Sequence, residues 1–165
     1  MSEELIKSVQ DMLKEETWTR ATISNYTKNN LMELATIVER AHNENCANEI
    51  QEICNEQLAN TKDSIIALYI SGMISLKNRT LDNSALVALV DIFQKNMKES
   101  IVEYLCQSIL DDDPNNKFAL RTLAEYYRSI NDEKVWELYN QIVKLDFEEA
   151  DLTKALAEHY EAEGD

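Results

Sequence analysis

Leu123-Ala124-Glu125-Tyr126-Tyr127 is followed 33 residues later by Leu156-Ala157-Glu158-His159-Tyr160. Asn131-Asp132, downstream of the first copy, corresponds to Gly164-Asp165 downstream of the second. A chain of 165 residues forms one ordinary domain or a short array of repeats. Self-similarity at a fixed spacing of 20 to 50 residues favours the array.

The composition around this repeat favours helices. The 165-residue chain has only two glycines, Gly72 and Gly164, and one proline, Pro114. A sandwich or barrel needs many turns rich in such residues, and a Rossmann fold or P-loop needs clustered glycines where the backbone meets phosphate. We therefore exclude these folds and expect an all-α protein with polar turns.

The repeated residues resemble the tetratricopeptide repeat (TPR), a helix–turn–helix unit whose first helix carries Leu, a small residue and then Tyr. Asp113-Pro114-Asn115-Asn116 is similar to the turn between units, and Tyr139 and Ile142 stand where the second helix supplies its packing residues. Leu145-Asp146-Phe147 departs from the family's Leu-Asp-Pro at its last residue. The resemblance implies a right-handed array of antiparallel helix hairpins, a TPR-like α-solenoid of about nine helices.

Apolar residues at helical spacing continue through the rest of the chain, which suggests a division into three parts. We predict an N-terminal helix and an irregular connection over 1–27, helical hairpins of unassigned register over 28–112, and TPR-like repeats over 113–165, the last of them incomplete. We expect the side chain of Trp18 to pack against the helices and to hold the irregular connection in place.

The segment from Asp63 to Leu76 is apolar on nearly every side, which is typical of a central helix covered by several others. Gly72 lies inside this segment, where glycine costs about 1 kcal/mol relative to alanine. We expect Gly72 to let another helix approach closely.

A second resemblance rests on the run from Glu15 to Tyr26 (Glu-Glu-Thr-Trp-Thr-Arg-Ala-Thr-Ile-Ser-Asn-Tyr). It is similar to the start of long bacterial GreA-type transcript cleavage factors, which carry a helical-repeat extension ahead of a catalytic coiled coil. In that family, acidic residues at the coiled-coil tip help RNA polymerase hold a metal ion and cleave backtracked RNA. This chain shows no such hairpin and no Gly-rich β domain, so no catalytic carboxylate carries over to it.

The charge of the chain argues against polyanionic partners. The net charge is −15, divided as −6 over 1–60, zero over 61–110 and −9 over 111–165. An acidic surface repels nucleic-acid phosphates and anionic lipids, so we expect no direct nucleic-acid or membrane binding. A protein with a basic patch remains a suitable binding partner for this acidic surface. The candidate partners are RNA polymerase or another part of the same polypeptide. The start lacks a signal peptide, so we expect a cytoplasmic protein.

Three groups of residues could carry chemistry, and each has a structural alternative that we favour. Asp111 to Asp113 could hold a divalent cation, but they precede a helix, where Asp caps amides. His42, Cys46 and Cys54 could be partial zinc ligands, but a fourth ligand is missing. Cys106 could be a nucleophile, but its apolar helix favours a buried side chain. We therefore predict three free thiols and no catalytic, metal or cofactor site.

The aromatic residues of the C-terminal part admit two interpretations. Tyr126, Tyr127, Trp136, Tyr139 and Tyr160 could stack on bases, but their spacing matches repeat packing and the local charge is acidic. We predict that they pack between helices. His159 takes the place of Tyr126 in the second copy, and we interpret it as a packing or groove residue.

In TPR arrays one stripe of each first helix lines the concave face, and the repeat match carries that stripe over to this chain. The implied groove residues are Phe118, Arg121, Glu125, Arg128, Asp151, Lys154, Glu158 and Glu161. A groove of mixed charge with one aromatic residue suits a peptide or protein segment. The alternative is a solvated face with no partner.

These observations favour a non-catalytic protein–protein interaction domain, the accessory N-terminal region of a Gre-type transcription elongation factor acting with RNA polymerase. The alternative is a free-standing TPR-like adaptor or chaperone-partner scaffold unrelated to transcription, although chaperone clamps in that family need a more basic groove. An enzyme acting through carboxylates or cysteines is disfavoured.

Overall fold

A computed structural model describes residues 2–16, 23–80, 82–145 and 150–164. Within these residues it has no strand and nine helices of 12 to 16 residues. They are α1 (Ser2–Glu15), α2 (Lys28–Asn43), α3 (Ala47–Asn60), α4 (Ile65–Lys77), α5 (Ser84–Lys95), α6 (Glu99–Asp112), α7 (Lys117–Ser129), α8 (Lys134–Leu145) and α9 (Ala150–Ala162). The predicted all-α fold is confirmed.

The chain divides into two compact units, Met1–Leu105 and Cys106–Asp165. The three-part division, the handedness and the TPR-like detail stay predictions. The expectations for Trp18, for Asp146-Phe147 and for Asp165 fall outside the described residues.

The first unit is built around α4, in which ten of 13 residues are buried. Four helices, α1, α2, α3 and α5, contact it. Ser64 is the N-cap of α4, and its hydroxyl accepts a hydrogen bond from the Ala67 N–H at 3.1 Å. The central position predicted from the apolar segment is therefore confirmed.

Gly72 sits where α4 meets α5. A Cβ atom placed on Gly72 would lie 2.6 Å from Cδ2 of Leu86, well inside van der Waals contact. Leu86 is itself fully buried, so it has little room to move aside. The glycine thus allows the close helix approach that the sequence predicted.

Glu16 links the end of α1 to the start of α4. Its carboxylate accepts hydrogen bonds from the Ser64 hydroxyl and, at 3.0 Å, from the Ile66 N–H. A carboxylate at this place satisfies an amide of the first helical turn and complements the positive end of the helix dipole. The contact joins residues 50 positions apart in the sequence and so contributes to the tertiary fold.

The second unit contains the end of α6, a helix hairpin and one further helix. Helices α7 and α8 pack on each other and bury a shared apolar interface: Ala119, Leu120, Leu123, Ala124 and Tyr127 of α7, and Val135, Leu138, Tyr139 and Ile142 of α8. Helix α9 packs on α8 and buries only Leu156. Helices α7 and α8 and the short turn between them form a helix hairpin, and its assignment to a TPR unit stays a prediction.

Four helices end in the same turn, with Asn45, Arg79, Met97 or Asn131 at a φ of 56° to 61°. In each turn the next N–H donates to the carbonyl five positions earlier, over 2.8 to 3.1 Å (Cys46 to Ala41, Thr80 to Ser75, Lys98 to Phe93, Asp132 to Tyr127). This is the Schellman arrangement, in which glycine usually takes the left-handed position. Asn45 and Arg79 are 34 residues apart, as are Met97 and Asn131, whereas Arg79 and Met97 are 18 residues apart.

The structure corrects the role predicted for Asp111 to Asp113. Asp111 and Asp112 are the last residues of α6 rather than a cap of the next helix. The cap of α7 is Asn116, whose Oδ1 accepts from the Ala119 N–H at 3.0 Å. Asp113 supports it, because its Oδ2 accepts from the Asn116 side-chain amide at 3.3 Å. Asn fills this position as well as Asp does, and spacing alone did not distinguish them.

Candidate functional site

The predicted groove residues lie on two helices of the second unit. Phe118 is half-buried, and the other seven residues are exposed. The set on α7 and the set on α9 have the same spacing of 3, 4 and 3 residues, so each occupies one face of its helix. The use of this face as a groove stays a prediction.

Only Arg128 and Asp151 of that set come together around a cavity, of about 570 Å³. We call it the hairpin-end cavity, because it is formed by the last turn of α7, the α7–α8 turn, and the first turns of α8 and α9. Its lining residues are Arg128, Asn131, Asp132, Glu133, Val135, Trp136, Tyr139, Asp151, Leu152 and Ala155. The remaining six groove residues do not line it.

One wall of the hairpin-end cavity is aromatic and held in place. The Trp136 indole stacks on the His159 imidazole, with ring centroids 3.9 Å apart and an angle of 10° between the planes. Tyr139 meets the same indole edge-on at 5.6 Å. These contacts fix the orientation of Trp136, which is half-buried and has part of its surface on the cavity.

The aromatic residues only partly follow the predicted packing role. Tyr127 and Tyr139 are buried, as predicted. Tyr160 is 37% exposed, and its hydroxyl accepts a hydrogen bond from the Asn140 amide. The expectation of a packed Tyr160 is therefore wrong, because the sequence pattern marks a face of α9 without showing what covers it.

The rim of the hairpin-end cavity carries more negative than positive charge. Among the lining residues, the acidic Asp132, Glu133 and Asp151 outnumber the basic Arg128, and Asp132 also lies 3.9 Å from the ammonium group of Lys134. Asp132 also stabilises the start of α8, since its Oδ1 accepts from the Lys134 N–H at 2.9 Å. Residues 111–165 have a net charge of −9, so the surroundings reinforce the sign of the rim.

The cysteines are buried and free. Burial raises the pKa of the Cys106 thiol to about 12, and burial together with the charge of Glu16 raises that of Cys54 to about 12. Burial and the nearby Glu44 and Glu49 also raise the pKa of Cys46. A thiol is nucleophilic or metal-binding only as thiolate, so these environments oppose both roles. Among the described residues, no three His, Cys, Asp or Glu side chains are grouped as a metal site requires.

A smaller cavity of about 260 Å³ in the first unit is lined by polar side chains that bond to one another. The Gln51 amide donates to the Ser75 hydroxyl at 2.7 Å, and the Ser71 hydroxyl donates to the Asn55 carbonyl oxygen at 2.8 Å. These pairs satisfy groups that would otherwise need a partner between α3 and α4. Their role is accounted for by packing.

Comparison with known proteins gives two relatives. The chain is 42% identical over 139 residues to the GreA-associated domains protein of Treponema pallidum (strain Nichols), a match covering 84% of this chain. It is 33% identical over 157 residues, 94% of its length, to the transcription elongation factor GreA of Borreliella burgdorferi. The chain spans 21% and 17% of the lengths of these relatives. No family model and no solved structure matches it.

No helix in the described part of the chain is long and apolar enough to span a lipid bilayer.

Proposed function

We propose that this chain, a helical region related to GreA-type factors, is a non-catalytic protein-interaction region of a Gre-type transcription elongation factor. It would act with RNA polymerase in the cytoplasm, as an accessory to a cleavage module elsewhere in the factor. The observation that carries the proposal is the 42% identity to a GreA-associated domains protein over 84% of the chain.

An accessory role is supported by the state of the reactive side chains. The thiols of Cys54 and Cys106 are buried with strongly raised pKa values, which keeps them protonated at neutral pH. Asp111 and Asp112 lie in the last turn of α6, and Asp113 accepts a hydrogen bond from the side-chain amide of Asn116, the cap of α7. These groups have structural roles, so the chain is suited to binding rather than to chemistry.

We propose the predicted groove residues on α7 and α9 as one contact surface for the partner. Seven of the eight are exposed, and both helices present them at matching positions. The partner would carry a basic patch facing Glu125, Glu158 and Glu161, because residues 111–165 are acidic.

Direct binding to core RNA polymerase tests the proposal. The purified chain is immobilised, and association of the polymerase from the same organism is followed at two salt concentrations. A double substitution of the groove, Glu125→Lys with Glu158→Lys, is compared with Glu52→Lys and Glu56→Lys on α3, which make the same charge change elsewhere. We expect the groove pair to weaken binding about tenfold and the α3 pair to have little effect.

The outcomes separate the two parts of the proposal. If the unmodified chain does not bind the polymerase at low salt, the proposed function is wrong. If both pairs of substitutions weaken binding equally, binding follows the total charge, and the groove is not the contact surface.

A further inference from the structure

We propose that the hairpin-end cavity is a docking site for a basic protein segment that inserts an arginine or lysine side chain against Trp136 and Tyr139. The inference rests on the proposed function in one respect only, that the chain is an interaction region. It assigns a second surface, because only Arg128 and Asp151 are shared with the groove residues.

The size and shape of the hairpin-end cavity suit an inserted side chain. Its volume of about 570 Å³ lies in the range of sites that enclose part of a ligand. Val135 and Tyr139 form a buried floor, and the half-buried Leu152 and Ala155 of α9 face it from the other helix. An extended alkyl stem would remove apolar surface from water along these side chains.

The aromatic wall adds selectivity for a cation. A guanidinium or ammonium group over the face of an indole is attracted by the ring, and tryptophan gives the strongest effect. One face of Trp136 is already covered by His159, so the indole is held before a ligand arrives. A ring fixed in advance loses little conformational entropy on binding.

The acidic rim completes the match to a basic segment. Asp151 and Glu133 are exposed at the mouth of the hairpin-end cavity and can pair with further cations on either side of the inserted one. The positive charge of Arg128 repels such a basic ligand. A second copy of this chain, with a net charge of −15, and a nucleic acid would both be repelled.

The experiment uses Trp136 as its own reporter. The chain has two tryptophans, so Trp18→Phe leaves Trp136 as the only one. The probe is a synthetic peptide of about twelve residues built from Arg, Lys, Leu and Ser, and its control has Glu at every Arg and Lys position. Trp136 emission and calorimetry follow the titration, and circular dichroism verifies that each variant is folded.

We expect the basic peptide to bind in a salt-sensitive way and to change Trp136 emission, and the acidic peptide to leave it unchanged. Glu133→Gln and Asp151→Asn should each weaken binding about three- to tenfold, and Arg128→Gln should strengthen it. Glu52→Gln, the same chemical change on an exposed position of α3 outside both the hairpin-end cavity and the groove, should alter binding less than about twofold.

Three results would overturn the inference: no binding of the basic peptide, equal binding of the acidic peptide, or an Arg128→Gln variant that binds no better. The proposed function fails separately. A chain that binds the peptide but not RNA polymerase would refute the link to transcription and leave the docking site standing. The docking site alone would be refuted by a different pair of results. The double variant Glu133→Gln with Asp151→Asn would still bind RNA polymerase as the unmodified chain does, and the emission of Trp136 would not change on binding.

Discussion

Helices α7 and α9 carry the same sequence motif and bury it to different extents. In α7 the motif residues Leu123, Ala124 and Tyr127 are 3%, 3% and 4% exposed. In α9 Leu156 is buried, Ala157 is exposed and Tyr160 is 37% exposed. The motif therefore specifies a face that can pack, and the neighbouring helix decides how much of that face leaves the solvent.

The difference has an energetic meaning. Tyr127 contributes a large buried apolar area to the α7–α8 hairpin, whereas Tyr160 contributes a surface contact with His159 and a hydrogen bond to Asn140. The same side chain should thus be worth several times more to folding in the first copy than in the second.

The tyrosines give the largest expected contrast. Tyr127→Ala should lower the free energy of unfolding by about 3–5 kcal/mol, because it removes a buried aromatic ring and leaves a cavity. Tyr160→Ala should cost about 1 kcal/mol or less. Urea denaturation followed by circular dichroism measures both, and equal losses would refute the comparison.

The small residues give the next contrast. Ala124→Leu adds three carbon atoms to a filled interface and should cost about 1–3 kcal/mol. Ala157→Leu makes the same change on an exposed face and should stay within about 0.5 kcal/mol of the unmodified chain. Thermal unfolding measures the pair. A comparable loss at Ala157 would mean that this position is covered in solution.

Burial should also set the pH dependence of stability through Cys106. Its thiol has a pKa of about 12 in the folded chain, against about 8.5 when unfolded. The thiol stays neutral in the folded state while the unfolded state ionises, so its stabilisation is complete below about pH 8.5 and is lost as the pH rises toward 12. The slope is up to about 1.4 kcal/mol per pH unit.

Urea titrations at about pH 8, 9 and 10 isolate this effect when the unmodified chain is compared with Cys106→Ala. The variant starts from a lower stability but should lose less of it as the pH rises. Parallel curves for the two proteins would show that Cys106 is accessible to solvent in the folded chain.

The turns after the two motif helices give the smallest contrast. Asn131 follows α7 with a φ of 56°, and Gly164 follows α9 with a φ of 81°. Asn131→Gly should raise the free energy of unfolding by about 0.5 kcal/mol, because glycine adopts this backbone conformation without strain. Gly164→Ala should lower it by less than about 1 kcal/mol, since α9 is only partly packed. A loss of stability for Asn131→Gly, or a gain for Gly164→Ala, in denaturant titrations would contradict the left-handed backbone conformation at these two positions.

The helices were predictable because their apolar faces repeat at helical spacing, as Leu31, Leu34 and Val38 of α2 illustrate. The close contact at Gly72 was predictable because a glycine inside an apolar helix needs a reason. The relation to GreA-type factors, predicted from the N-terminal run, is also confirmed.

The candidate site was less predictable. The repeat match placed Arg128 and Asp151 on one stripe, but it contained no information about Trp136 or Leu152, which come from different helices. The hairpin-end cavity depends on the offset between α8 and α9, which side-chain periodicity does not encode. A tryptophan beside Asp132 and Glu133 near a turn was the signal available in the sequence.

The turns of the N-terminal part were not visible in the sequence for a related reason. The left-handed positions that follow α2, α4 and α5 hold Asn45, Arg79 and Met97 instead of glycine. Turn recognition from sequence depends on glycine at such positions. These turns therefore became visible only through the backbone angles.

Transcript cleavage tests most directly the claim that this chain contributes binding rather than chemistry. The purified chain is added to backtracked elongation complexes of the polymerase from the same organism, and association and RNA shortening are followed together. We predict salt-sensitive association and a cleavage rate equal to that of the polymerase alone. An accelerated cleavage that disappears when Asp111, Asp112 and Asp113 are replaced by Asn, or a complete lack of association, would contradict the claim.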